Sequence, residues 1–347
     1  MTDHSSDAAL APMSADIETG GVLAAIEQRR AARRGFLRYA GGAAAVAGGA
    51  ALLSACGGNS DPAPTPTPTP TTANLDIDVL NFALNLEYLE AQFYSWACFG
   101  RGLDASLITG IGAPGTVTGG AAVAFQDTLV AAYAREIAFD EIAHVAFLRT
   151  ALGSARVAMP AINIDGSATG AFTLAARAAG VVGPTGVFNP YADDNSFLLG
   201  AFIFEDVGVS AYKGAAPLIT NKTYVEAAAG ILATEAYHAG LIRTLLYRKG
   251  LDTPALAINA GLISDARDSL DGTVSNPATG VIGDDDQGVL GTAEVSNIVP
   301  ADGNAIAFSR STGQVLNIAY LSKAAISSGG FFPSGVNGNI RTSAANA

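Results

Sequence analysis

The chain of 347 residues is 49% hydrophobic, carries a net charge of −12 and has two cysteines, Cys56 and Cys98. That length and hydrophobic content supply one sizeable core with extensions, while the acidic balance argues against nucleic acid and anionic membrane surfaces as partners. Two cysteines exclude a disulfide framework.

Residues 1–55 read as an address rather than as fold. Arg33-Arg34-Gly35-Phe36-Leu37-Arg38 has the form of a twin-arginine export signal, with Arg38 where Lys is usual. The Ala/Gly-rich stretch from Tyr39 to Leu52 is too short and too weakly apolar to span a membrane. Leu53-Ser54-Ala55-Cys56 then resembles a lipobox, with Cys56 as the lipidated residue. These three features in this order predict twin-arginine export and a lipid-anchored protein of the periplasm or cell envelope. Residues 56–74 form a tether, in which Asp61 to Pro70 alternates Pro with Thr. Such a run favours polyproline II at about 3.1 Å per residue, a semi-rigid stalk.

Residues 75–250 read as an all-α, four-helix bundle. The first helix is expected from about Asp76 to Phe99, with Asp76 or Asp78 as its cap. Gly100 to Gly120 lacks the Gly-Lys-Ser/Thr ending of a phosphate loop and reads as connection. The second helix is expected from about Ala121 to Leu152, stopping at Gly153. A long Gly-, Pro- and Asn-rich crossover leads to a third helix from near Asp193 to near Pro217. Thr223 and Glu226 have capping-box spacing and are expected to open the fourth helix, which stops at Gly250. Residues 251–347 form an irregular extension, expected to wrap the bundle or to serve a subunit interface. Within it, Leu262–Leu270 and Ala307–Lys323 read as short amphipathic helices. Asp284-Asp285-Asp286 lacks the spaced ligands of a calcium loop and reads as a solvated turn.

One pattern occurs twice, 94 residues apart: Glu141-Ile-Ala-His144 and Glu235-Ala-Tyr-His238. The match continues through Leu148-Arg149-Thr150 and Ile242-Arg243-Thr244. Residues i and i+3 share a helix face, so each pair aims a carboxylate and an imidazole at one point. A shift of 118 residues likewise lays Leu80, Ala83, Glu87, Tyr94 and Ala97 on Leu198, Ala201, Glu205, Tyr212 and Ala215. All four stretches step by three and four residues, the seam of a packed helix. Glu87, Glu141, His144, Glu205, Glu235 and His238 therefore occupy core positions of apolar stripes. A single buried Glu or His is ordinarily satisfied by hydrogen bonds. Four converging carboxylates would each cost several kcal/mol to desolvate, and no Lys or Arg lies on these seams. Two divalent cations would neutralise them, and one Glu from each of two helices plus Glu-x-x-His from two others is the ligand set of a dinuclear site.

The repeat is broken at Glu90, whose partner position is Gly208. Glu90 reads either as an acceptor behind a ligand histidine or as a seventh ligand or proton carrier facing the space left by Gly208. Asp140 and Asp206 follow or precede ligands directly and point about 100° away from them. Tyr94 and Tyr212 read as core packing first, with a redox or hydrogen-bonding role as the alternative. Cys98 reads as a small apolar residue.

The stretches NLEYLEAQFY, DEIAHVAFLRTALG and TEAYHAGLIRTLLY, with AFSRSTGQVLNIAY and GGFFPSGVNG in the tail, resemble the ferritin-like superfamily. In particular they resemble its ferritin-like domain or desiccation-related branch. The resemblance implies a ferritin-like bundle with one long crossover and a dinuclear Fe or Mn centre held by the six residues above. It does not fix the reaction. One expectation is an oxidoreductase acting on O2 or peroxide; carboxylate-rich sites free of thiolate suit those metals. The other is a non-catalytic desiccation- or stress-related envelope protein whose metal holds the bundle together. The lipid anchor would make the membrane a partner, and a homo-oligomer is left open.

Overall fold

The computed structural model describes residues 72–346 apart from Ala113, Thr273, residues 277–280, residues 283–286 and Ala293. The export signal, Cys56, the Pro/Thr stalk and Asp284–Asp286 lie outside the described residues. The elements, in chain order, are α1 (Thr72–Phe99), the one-turn α2 (Ala105–Ile108), β1 (Val117–Gly119), α3 (Thr128–Leu152), β2 (Ile162–Ile164), α4 (Ala171–Ala178), α5 (Asp194–Ala215), α6 (Lys222–Asp252), α7 (Pro254–Asp271), β3 (Val274–Asn276), β4 (Val281–Ile282) and α8 (Thr312–Tyr320). The four long helices α1, α3, α5 and α6 form the bundle, with α1 packed along α3 and α5 along α6. The connection from α3 to α5 is the long one. It is not structureless: β2 pairs in parallel with β1 from the first connection, and α4 buries Phe172 against Phe93 of α1 and Phe204 of α5. No helix among the described residues is long and apolar enough to cross a membrane.

Helix boundaries differ from expectation where side chains capture backbone amides. Helix α1 begins at Thr72, inside the expected tether. Helix α3 starts at Thr128 rather than near Ala121, because the Asp127 carboxylate accepts the Leu129 and Val130 N–H groups. The preceding residues satisfy their amides without a helix: Val123 N–H bonds the Ala97 carbonyl, and Asp194 accepts from Gln126 and Asp127. The expected Thr223–Glu226 box is not the start of α6. Asn221 caps it by accepting the Thr223 N–H, and buried Asp76 of α1 accepts the amides of Thr220 and Asn221. That helix runs past Gly250 to Asp252, because α7 begins directly at Pro254, whose missing N–H suits a first turn.

The extension packs on the bundle. Helix α7 spans Pro254–Asp271, twice the expected piece, and α8 is opened by a Ser311/Gln314 capping box. The Arg310 N–H bonds the Ser210 carbonyl, and a side chain at Gly214 would meet the Arg310 carbonyl oxygen at 1.9 Å, so tail and α5 touch backbone to backbone. Further on, Asn85 of α1 and Asn337 exchange two hydrogen bonds of 2.8 and 2.9 Å. This covering explains why α1 and α5 are buried on every side through their middle turns, while α3 and α6 keep solvent faces. The repeated arginines have matching roles. Arg149 clamps the α1–α3 connection through Ser106 and Thr109, and Arg243 clamps the extension through four carbonyls.

Candidate metal centre

All six predicted residues meet at mid-bundle. Glu87 comes from α1, Glu141 and His144 from α3, Glu205 from α5, and Glu235 and His238 from α6; every one is buried. Ligand atoms of Glu87, Glu141, His144 and Glu235 lie within 4.8 Å of one another, and so do those of Glu205, Glu235 and His238. His144 Nδ1 stands 3.1 Å from Glu87 Oε2, 3.4 Å from Glu235 Oε1 and 3.5 Å from Glu141 Oε2. His238 Nδ1 stands 2.9 Å from Glu141 Oε1 and 3.7 Å from Glu205 Oε2. The ring centroids are 6.1 Å apart. Glu141 therefore faces both histidines and Glu235 belongs to both clusters, whereas Glu87 belongs to one end and Glu205 to the other.

Hydrogen bonding leaves the inner atoms unused. Both oxygens of Glu141 and Glu235, Oε2 of Glu205 and Nδ1 of His238 are buried and make no well-aligned hydrogen bond; their close polar neighbours are one another, as with His238 Nδ1 2.9 Å from Glu141 Oε1. Among the described residues no Lys or Arg pairs with any of the four glutamates. Buried carboxylates in this condition are rare unless a cation completes them. Four carboxylates and two imidazoles without a thiolate fit Fe or Mn. The donor set thus suits the metals that the sequence pointed to.

The outer atoms are held. Tyr94 of α1 donates its hydroxyl to Glu205 Oε1 of α5, and Tyr212 of α5 donates to Glu87 Oε1 of α1. The two tyrosines are packed in the core, as expected first, and this reciprocal brace adds the hydrogen-bonding role that was the alternative. Their equivalent places, seven residues after Glu87 and Glu205, were the available signal. Asp140 sits behind His238, with Oδ2 3.4 Å from Nε2, an orientation that fits the outer partner of a ligand imidazole. Asp206 turns away from the site and accepts from Arg243 at 2.7 Å and Arg267 at 3.0 Å. Glu90 is buried, and no hydrogen bond among the described residues joins it to either histidine. It does face the Gly208 gap. A Cβ there would lie 2.4 Å from Glu235 Oε2 and 3.5 Å from Glu90 Oε1, so glycine makes the room in which Glu235 reaches the site. Cys98 is half-buried, and burial pushes its thiol up to about 12.

Electrostatics describe a metal-free cluster that stores protons. Burial pushes the Glu87 carboxyl from 4.5 up to about 8, against the pull of His144 and with the help of Glu141 and Glu235. Desolvation likewise raises Glu90, Glu205 and Glu235. Burial acts upward on Glu141 too, but His144 and His238 outweigh it and hold that carboxyl below the usual range. For the imidazoles burial opposes the charged form, yet Glu87 and Glu141 lift His144, and Asp140 with Glu141 lifts His238 to about 11. Groups raised in this way stabilise the metal-free fold fully at low pH, and that stability is lost as pH rises through about 8 for Glu87 and about 11 for His238. Glu141 has the opposite sign and loses its contribution only on acidification. Metal-free protein should therefore melt at a lower temperature at about pH 9 than at about pH 6, and metal-loaded protein should lose less, because the cations displace those protons. Thermal scans of chelator-treated and reloaded protein would check this. Greater stability of the metal-free form at alkaline pH would contradict the clustering.

Residues 75–248 match the ferritin-like domain family. The chain is 29% identical over 275 residues to a ferritin-like catalase, Nec2, of Nesocodon mauritianus, covering 76% of this chain and 84% of that protein. It is 31% identical over 249 residues to the desiccation-related protein PCC13-62 of Craterostigma plantagineum, covering 69% of this chain and 75% of that protein. No solved structure matches it significantly. Bundle, crossover and the carboxylate–imidazole cluster agree with this match, and the chain belongs to the ferritin-like domain family.

Proposed function

We propose that the bundle holds two Fe or Mn ions and acts as an oxidoreductase on peroxide or O2. The observation that carries this is the double cluster in which Glu235 is shared, with inner oxygens that make no well-aligned hydrogen bond. Glu87 and His144 would hold one ion, Glu205 and His238 the other, and Glu141 and Glu235 both. Such a pair, when bound, supplies the reversible electron transfer that peroxide disproportionation requires. The protein residues do the rest. Tyr94 and Tyr212 fix the carboxylate orientations, Asp140 orients His238, and the apolar helices exclude bulk water. Glu90 lies close enough to serve as a proton carrier. The relative named a catalase supports peroxide as substrate. The relative named desiccation-related supports the second reading, a protective protein whose metals mainly stabilise the bundle.

Elemental analysis of protein purified without chelators should give about two Fe or Mn per chain. Loaded protein should evolve oxygen from hydrogen peroxide under the first reading. Under the second it should not, while metal removal still lowers the melting temperature. A folded protein that takes up no metal would sink both.

We propose further that this domain is carried to the cell envelope by the twin-arginine segment at Arg33 and Arg34, and anchored through Cys56. Support comes from the order of signal, lipobox and stalk, all ahead of residue 75 where the family match begins. Cys56→Ser should shift the protein from the membrane fraction to the soluble fraction. Wild-type protein that is fully soluble with residues 1–55 attached would refute the anchor.

A further inference from the structure

We infer that the C-terminal extension builds the entrance for the oxidant, a small cavity between α1, α5 and α8 that admits peroxide or dioxygen and excludes bulkier hydroperoxides. The inference rests on the oxidoreductase reading and names the substrate class of that site. The cavity measures about 30 Å³. Two of its walls come from α1 and α5, and the third from Val315, Ile318 and Ala319 of α8 with Phe331 beyond it. All of these side chains are apolar and buried. Glu90 is the one charged residue in the lining, and no hydrogen bond among the described residues engages it. Gly208 completes the lining, and the place a Cβ would take there lies 2.4 Å from Glu235 Oε2. The shared carboxylate of the metal cluster is thus directly behind the cavity floor.

The position is chemically apt. The imidazoles enter from α3 and α6, and Asp140 stands behind His238. Glu90 and Gly208 come from the opposite pair, α1 and α5, so the cavity approaches the cluster from the side without histidine, with these two residues between. Size then sets the substrate. A space of roughly 10–15 Å³ on this measure holds one water. About 30 Å³ corresponds to roughly two or three waters, enough for peroxide or dioxygen and tight for a tert-butyl group. Glu90 can hydrogen-bond peroxide on arrival, and apolar walls do not retain water or ions in its place.

The test fills or widens the cavity at residues that bear on no metal ligand. Ala319→Phe should slow nitric oxide binding to Fe(II)-loaded protein, and kcat/KM for hydrogen peroxide, by roughly tenfold or more, with metal content unchanged. Ile318→Ala should raise the rate with tert-butyl hydroperoxide relative to hydrogen peroxide by roughly tenfold. Unchanged nitric oxide and peroxide rates in loaded Ala319→Phe would overturn the entrance, as would wild-type protein that turns over both peroxides equally. If Ala319→Phe does not fold, the peroxide ratio of Ile318→Ala decides alone. Wild-type protein that loads metal and binds nitric oxide but leaves peroxide untouched would reject the oxidoreductase reading, and the nitric oxide rates would still decide the entrance.

Discussion

Glu235→Ala is expected to take the metal content from about two per chain to near zero, whereas Glu87→Gln or Glu205→Gln should weaken chiefly one position. The asymmetry follows from the clusters: Glu235 offers ligand atoms to both, Glu87 to the first and Glu205 to the second. His144→Ala and His238→Ala should cause losses similar to each other, since the two residues are equivalent in the repeat. Stability should change little without metal and fall clearly with it. Glu235 is a fully buried carboxylate whose interaction with His144, 3.4 Å away, offsets its desolvation, so metal-free protein gains or loses little when it is removed. Loaded protein loses the binding free energy that couples metal to fold. Elemental analysis with paired thermal melts reads both effects. A Glu235→Ala protein that keeps two metals would show that Glu235 is not shared.

Arg243→Met should destabilise the protein by about 3–5 kcal/mol, because it removes one of the two arginines that hold buried Asp206 and leaves four carbonyls without this donor at once. The guanidinium is fully buried. It donates to Asp206 Oδ2 at 2.7 Å and to the carbonyls of Gln287, Gly288, Asn297 and Ile298 at 2.6–3.1 Å. It also lies over the Phe202 ring, 5.5 Å from the centroid. Methionine keeps much of the bulk, so the loss reports on the polar clamp rather than on a cavity. A fall in Tm on the order of 10 °C is expected, with early proteolysis in the extension. A shift of only a degree or so would mean that the extension is held by other contacts.

The clamp also shows where sequence reasoning stops. Arg149 and Arg243 repeat visibly in the chain, but their partners are carbonyls of connections with no periodic signal. Helix geometry alone turns Asp206 away from the site; that it joins Arg243 and Arg267 depends on α7 and the tail lying over α5. The same holds for helix α3. Its apolar content continues upstream to Ala121, yet Asp127 and Asp194 capture the amides and end the helix at Thr128. A local pattern cannot report a carboxylate arriving from 67 residues away.

What the sequence determined by itself is the periodic part: four seams, two Glu-x-x-His pairs and two lone glutamates related by the repeat. A helix converts spacing into direction, so residues three and four apart must share a face, and six polar groups on apolar faces must meet wherever those faces pack. What only the tertiary structure decided is who stands behind them. The crossed tyrosine–glutamate bonds, the Gly208 gap shared by Glu235 and Glu90, and the tail helix that closes the bundle over α1 and α5 all join residues far apart in the chain. Their energies come from burial and hydrogen-bond geometry, which exist only once the helices have packed.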